Sequence, residues 1–184
     1  MAEVRLPAST SMWNLGDTWI YASQRGSIMK IYCAGPLFTQ AERDYIDGYA
    51  AKFRAAGIDC FVPHEQTGEK LSISADSIFH TDYDDGVATA NAVVAWLDGP
   101  MCDDGTAVEI GIFYGLMQQN TPWRKGILGL CTDRRRARIR DKVENGGINF
   151  FVAGTIQQVG KICWSVEEVL DQLLIWKKEL DEAP

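Results

Sequence analysis

From Met29 onward, apolar residues fall in short unbroken runs separated by longer stretches of mixed character. The runs "KIYCAG" (Lys30–Gly35), "DCFVP" (Asp59–Pro63), "NAVVAWLDGP" (Asn91–Pro100), "GILGLC" (Gly126–Cys131) and "KICWS" (Lys161–Ser165) have the length and the Gly, Pro and Asp punctuation of buried strands. Helical patterns lie between them. Thr39–Gly57 has an N-capping threonine and a glycine just past its end, and about Ile73 to Thr89 is rich in Asp. Thr106–Met117 is almost wholly apolar, a short helical piece lies near Asn149, and Ser165–Ala183 closes the chain. A polar loop covers 65–72 and a basic segment, Arg134–Arg140, follows the fourth strand.

This alternation predicts one α/β domain over residues 29–184. It is a doubly wound, mostly parallel five-stranded sheet of Rossmann or flavodoxin-like type with helices on both faces. Residues 1–28 sustain no period and are expected to be an extension, with Trp13 and Trp19 as candidates to cover a subunit interface.

Such a sheet binds ligands beyond the carboxyl ends of its strands. One helix breaks its own pattern in that region. From Thr106 to Met117 the only charge is Glu109, which shares a helical face with Ile112, Phe113 and Leu116. Burying an unpaired carboxylate costs several kcal/mol, so such a residue is paired, lines a cleft, or changes its proton affinity. Strand ends bring Tyr32 and the "AGPLF" turn, which contains Gly35 and Phe38, to the same end as Asp98, Asp103 and Asp104. Gly35-Pro36 allows close backbone approach to a ligand, and Asp103 or Asp104 is placed to cap the helix.

Composition narrows the function further. A net charge of −7 argues against nucleic acid as a partner. Five cysteines without CxxC spacing point to a reduced, cytoplasmic setting, with Cys33, Cys60 and Cys131 as small buried residues. The two histidines, His64 and His80, are too few for a typical zinc site, so no metal is expected. No apolar run is long enough to span a membrane and residues 1–28 carry no signal-peptide pattern.

Four segments carry a family resemblance: "KIYCAGPLF", "ANAVVAWLDGPMCDDGTAVEIG", "TDRRR" and "INFFVAGTI". The second is the specific one, because aspartate, Gly-Thr-Ala and Glu-Ile-Gly follow one another at family spacing. Through these segments the chain resembles the nucleoside 2-deoxyribosyltransferases and their N-glycosidase relatives over roughly residues 29–178. The resemblance implies that Glu109 is the nucleophile that takes the sugar as a covalent intermediate, and that Tyr32 orients it. Asp103 then matches the residue that holds the sugar 5′-hydroxyl. Asn149 matches one that reaches across from a neighbouring subunit, so a homodimer or higher oligomer with shared sites is implied. Gly35, Phe38 and Asp98 join the substrate-binding set.

Asp82 matches the proton donor to the leaving base. Its distance to the third strand is one residue longer than the family pattern, so Asp84 and Asp85 stand as alternatives. The substrates implied are nucleosides and free nucleobases, handled without cofactor or metal. Two other functions fit the same scaffold: hydrolysis of nucleosides or nucleoside 5′-monophosphates, and non-catalytic nucleotide binding. Asp103 would repel a phosphate at close range, which favours an unphosphorylated nucleoside, while the basic run is expected to be a solvated, salt-bridged segment.

Overall fold

A computed structural model describes residues 28–67, 74–119, 121–139 and 141–183, together with the main chain of two short strands, β1 (Met12–Asn14) and β2 (Trp19–Tyr21). These two pair antiparallel, where no strand is expected from the sequence, and the side chains of Trp13 and Trp19 lie outside the described residues. The main sheet holds β3 (Lys30–Ala34), β4 (Asp59–Phe61), β5 (Ala92–Trp96), β6 (Gly126–Leu130) and β7 (Lys161–Cys163). Its order is β4-β3-β5-β6-β7, and every pairing is parallel. Renumbered within the sheet this is 2-1-3-4-5, the flavodoxin-like order.

Strand alternation divides the core into two layers. Ile31, Cys33, Val94, Leu128 and Leu130 pack with α1 (Gln40–Ala55) and α7 (Val166–Asp181). Tyr32, Ala34, Val93, Ala95 and Ile127 face α4 (Asp104–Met117) and α6 (Phe150–Val159). The helices form for local reasons. A reciprocal capping box, Thr39 with Glu42, starts α1, and Ile46, Tyr49, Ala50 and Phe53 then fall on one buried stripe. Ser165 caps α7, whose Val169, Leu173 and Trp176 bury at the same period.

The remaining helices are short. The segment α2 (Pro63–Thr67) replaces the end of the expected second strand and the start of the expected loop, because Pro63 suits a first helical position. The acidic stretch is not one helix. It is α3 (Ala75–His80), a π-helical turn over Thr81–Gly86 and a 3-10 turn over Val87–Thr89. The basic run forms α5 (Arg134–Ala137), and a 3-10 turn at Glu144–Gly147 precedes α6. Cys33, Cys60, Cys131 and Cys163 are buried free thiols, and Cys102 is half-buried. Among the described residues no helix is long and apolar enough to cross a membrane.

Candidate active site

Strand order reverses between β3 and β5: the chain leaves β3 for β4 on one side, and leaves β5 for β6 on the other. Their carboxyl ends open a crevice there. Tyr32, on β3, points to the α4 side and is fully buried, its ring stacked on Phe61 at 5.4 Å. Its hydroxyl donates to Glu109 Oε1 at 2.5 Å. Glu109 reaches that point because α4 starts where it does. Asp103 is the N-cap, its Oδ2 accepting from Thr106 N at 2.9 Å and Thr106 Oγ1 at 3.1 Å, while Ile110 and Phe113 anchor the helix in the core.

Burial pushes the Glu109 carboxyl up to about 8; the charges of Asp82 and Asp103 push the same way, and only the Tyr32 hydrogen bond opposes them. Burial, and then the charge of Glu109, holds the Tyr32 hydroxyl far above its ordinary range, so it remains a donor. Asp82 is raised to about 6 by burial alone, and its buried Oδ1 has no hydrogen-bond partner. The alternatives face elsewhere. Asp84 is exposed and meets His80 Nδ1 at 2.8 Å; Asp85 is exposed and offers its main-chain carbonyl to Lys30 Nζ at 2.5 Å. Of the three, Asp82 is the one whose charge acts on both Tyr32 and Glu109.

Gly86, which the sequence reading did not single out, makes this placement possible. A Cβ there would lie 2.7 Å from Tyr32 Cε2 and 2.9 Å from Phe61 Cε1, so the π turn can rest on the stacked rings only without a side chain. The signal available was the Asp-Asp-Gly end of the acidic stretch, where glycine inside a helical pattern marks a close approach. Lys30 Nζ closes the far end of the same turn through Asp85 O and Thr89 Oγ1.

The other expected residues take varied positions. Asp98 accepts from Thr132 N at 2.7 Å, Asp133 N at 2.9 Å and Thr132 Oγ1 at 2.5 Å, and so ties the end of β5 to the end of β6. That is an anchoring role. Gly35 lies against Ile46 and Trp96, where a Cβ would come within 3.0 Å and 3.3 Å. Phe38 stands 79 % exposed in the loop that follows. Asn149 is exposed and caps α6, with Oδ1 accepting from Phe151 N at 2.9 Å and Val152 N at 3.3 Å, which leaves its amide nitrogen for other partners. The structure therefore brings Tyr32, Glu109, Asp82 and Asp103 into one electrostatic group, with Asn149 outside it. Two desolvated carboxyls that hold one proton between them near neutral pH can supply a carboxylate and an acid to chemistry in which positive charge builds on a carbon. No three His, Cys, Asp or Glu side chains gather as a metal site among the described residues.

With this geometry in view, comparison with known proteins is specific. The family model described as nucleoside 2-deoxyribosyltransferase matches residues 31–169. Among solved structures, a conserved protein from Enterococcus faecalis V583 is similar at 26% identity and TM-score 0.64, covering 81% of this chain and 99% of its own. A 2-deoxyribosyltransferase from the psychrotolerant bacterium Bacillus psychrosaccharolyticus shares the fold at 20% identity and TM-score 0.59, over 77% of this chain and 90% of its own. No curated protein matches the sequence.

The raised Glu109 carboxyl has a consequence for stability. Near pH 4 it is protonated in folded and unfolded chains alike and costs nothing; as pH rises to about 8 the unfolded chain ionises first, and the folded state loses ground. Glu109→Gln should therefore melt with wild type near pH 4 and a few degrees above it at pH 9, the gap opening between those limits. Thermal unfolding across pH measures this. A gap that stays constant would show that Glu109 is not held neutral by the fold.

Proposed function

Because the chain belongs to the nucleoside 2-deoxyribosyltransferase family, whose members act on nucleosides and nucleobases, we propose that it transfers a 2-deoxyribosyl group between nucleobases by double displacement. The observation that carries this reading is the contact between buried Tyr32 and Glu109, with Asp82 near enough to act on both. In the first step a Glu109 oxygen bonds to the anomeric carbon as the glycosidic bond breaks. The electron pair leaves with the base, and Asp82 gives that base a proton at a ring nitrogen. In the second step a ring nitrogen of the incoming base attacks the same carbon. Asp82 takes back a proton and Glu109 is released as the carboxylate, so the enzyme returns to its starting state.

Tyr32 aims one carboxylate oxygen and leaves the other for the sugar, and the apolar surroundings keep water from competing. Asp103 has Oδ1 available for the sugar 5′-hydroxyl while Oδ2 caps α4. Phe38, exposed beside the crevice, offers a face on which a base can stack. Asn149 acts in this reading on a neighbour's sugar. Its exposure, with Phe150 63 % and Phe151 86 % exposed beside it, suits a surface that a second copy covers. An unphosphorylated substrate is favoured because Asp103, at the start of α4, would repel a phosphate there, and two arginines of the basic run are already engaged. Arg135 pairs with Asp133 at 2.6 Å and Arg136 serves main-chain carbonyls, while Arg140 lies outside the described residues.

Two measurements test the reading. Thymidine incubated with adenine should give deoxyadenosine and thymine in equal amounts. Thymine without deoxyadenosine would mean hydrolysis, and no change would remove the transfer reading.

The pH profile tests the roles of the two acids. Glu109 and Asp82 repel each other's charge, so they titrate as a pair with apparent values near 6 and 8. Below about 6 both are protonated and the nucleophile is lost; above about 8 both are ionised and the acid is lost. A bell centred near pH 7 is expected in kcat/KM, and Asp82→Asn should abolish its alkaline limb. A profile flat from pH 5 to 9 would contradict the assignment.

A further inference from the structure

Arg136 belongs to the basic run but does not behave as a solvated charge. Its Nη1 donates to the carbonyl of Gly147 at 2.6 Å and reaches that of Gly146 at 3.5 Å. Its Nη2 donates to the carbonyl of Gly99 at 3.0 Å and reaches that of Pro100 at 3.4 Å. The guanidinium thus grips two loops that are far apart in sequence. One leads from β5 through Gly99 and Pro100 to Asp103, the cap of α4; the other runs through Gly146 and Gly147 to Asn149, the cap of α6. Both loops are rich in glycine. Gly99, Gly146 and Gly147 have φ of 113°, 61° and 75°, and Asn145 has 55°; glycine's conformational freedom gives such loops little stiffness of their own, and Arg136 supplies a tether. The planar fork of arginine holds the two loops from separate nitrogens at a fixed spacing, which the compact ammonium of lysine does not reproduce.

We propose that Arg136 is a positioning residue. It fixes the starts of α4 and α6 relative to each other, and so places Asp103, the group assigned to the 5′-hydroxyl, and Asn149, the group assigned to a neighbour's sugar. Arg136 itself touches no substrate. This inference rests on the proposed nucleoside chemistry and adds to it a cause for 5′-hydroxyl selectivity outside the residues that contact the hydroxyl. A site built to bond a hydroxyl discriminates strongly against the analogue that lacks it, because its polar groups are then left unpaired. If the loops slacken, that discrimination falls first.

The test compares kcat and KM for thymidine and 5′-deoxythymidine, with adenine as acceptor, in wild type and Arg136→Lys. Wild type should prefer thymidine. In Arg136→Lys, KM for thymidine should rise about tenfold, while kcat/KM for 5′-deoxythymidine changes less than about threefold, so the preference shrinks. Equal losses on both substrates would indicate a purely structural role and overturn the proposal, as would an unchanged preference. If Arg136→Lys does not fold, Gly147→Ala decides. The added methyl meets nothing closer than 3.7 Å but strains the left-handed φ that presents the carbonyl to Arg136, so a partial loss of preference is expected. Full retention there would overturn the proposal. A wild-type enzyme that turns over neither compound would instead remove the nucleoside reading itself, a result distinct from a selective wild type with an equally selective variant.

Discussion

Glu109 lies on the face of α4 that meets an apolar sheet layer, and its one side-chain hydrogen bond among the described residues is to the Tyr32 hydroxyl, at 2.5 Å. Much of the surrounding structure is arranged to deliver those two atoms to each other. The alternation of β3 sends Tyr32 to the α4 side, while Ile31 and Cys33 face the opposite layer. Phe61, from the neighbouring strand, fixes the ring plane. Gly86 leaves room for the π turn to rest on both rings, and the Asp103 cap sets where α4 begins. A one-residue shift in the register of β3 would turn Tyr32 to the other face and leave Glu109 with a desolvation cost of several kcal/mol and no partner.

The site's electrostatics follow from that desolvation. The carboxyls of Asp82 and Asp103 both act on Glu109 in a crevice whose walls are apolar, with no cation among the causes. An arrangement of this kind is ill-suited to an anionic ligand and well suited to a carbon that becomes positive as its leaving group departs. The short Tyr32 hydrogen bond works against the other influences, favouring the ionised form of Glu109 that can attack. Asp82, raised by burial alone, has no such partner and keeps its proton to higher pH than a solvated aspartate would. Environment thus raises both acids, Glu109 above Asp82, and near neutral pH the pair holds one proton; the form with Glu109 ionised and Asp82 protonated is the reactive one.

Much of this was legible in the sequence. The five strands were visible because parallel strands buried on both faces are nearly continuous apolar runs, and Glu109 stood out because it interrupts such a pattern. The alternation of strands and helices placed the site beyond the carboxyl ends of the strands, while the switch point between β3 and β5 came only with the strand order. What the sequence concealed depends on contacts distant in the chain. A π turn has the same composition as an α-helix, so the division of the acidic stretch at Thr81 came only from the packing of Gly86 on Tyr32, more than fifty positions earlier in the chain. Asp98 stands at a strand end, as the pattern indicated, but the three hydrogen bonds it accepts from Thr132 and Asp133, in the loop after β6, come from more than thirty positions away and leave no local signal. Arg136 looked like part of a solvated run for the same reason: the carbonyls it meets belong to loops whose course no local pattern reveals.

The central claim is that Glu109 bonds covalently to the sugar, and trapping tests it most directly. A 2′-fluoro nucleoside slows breakdown of the intermediate by destabilising its positively charged transition state. After reaction with such a substrate, intact protein mass should rise by one fluorinated sugar, and the label should lie on a peptide containing Glu109. Label on a different residue, or turnover of the natural substrate with no label under trapping conditions, would contradict the claim.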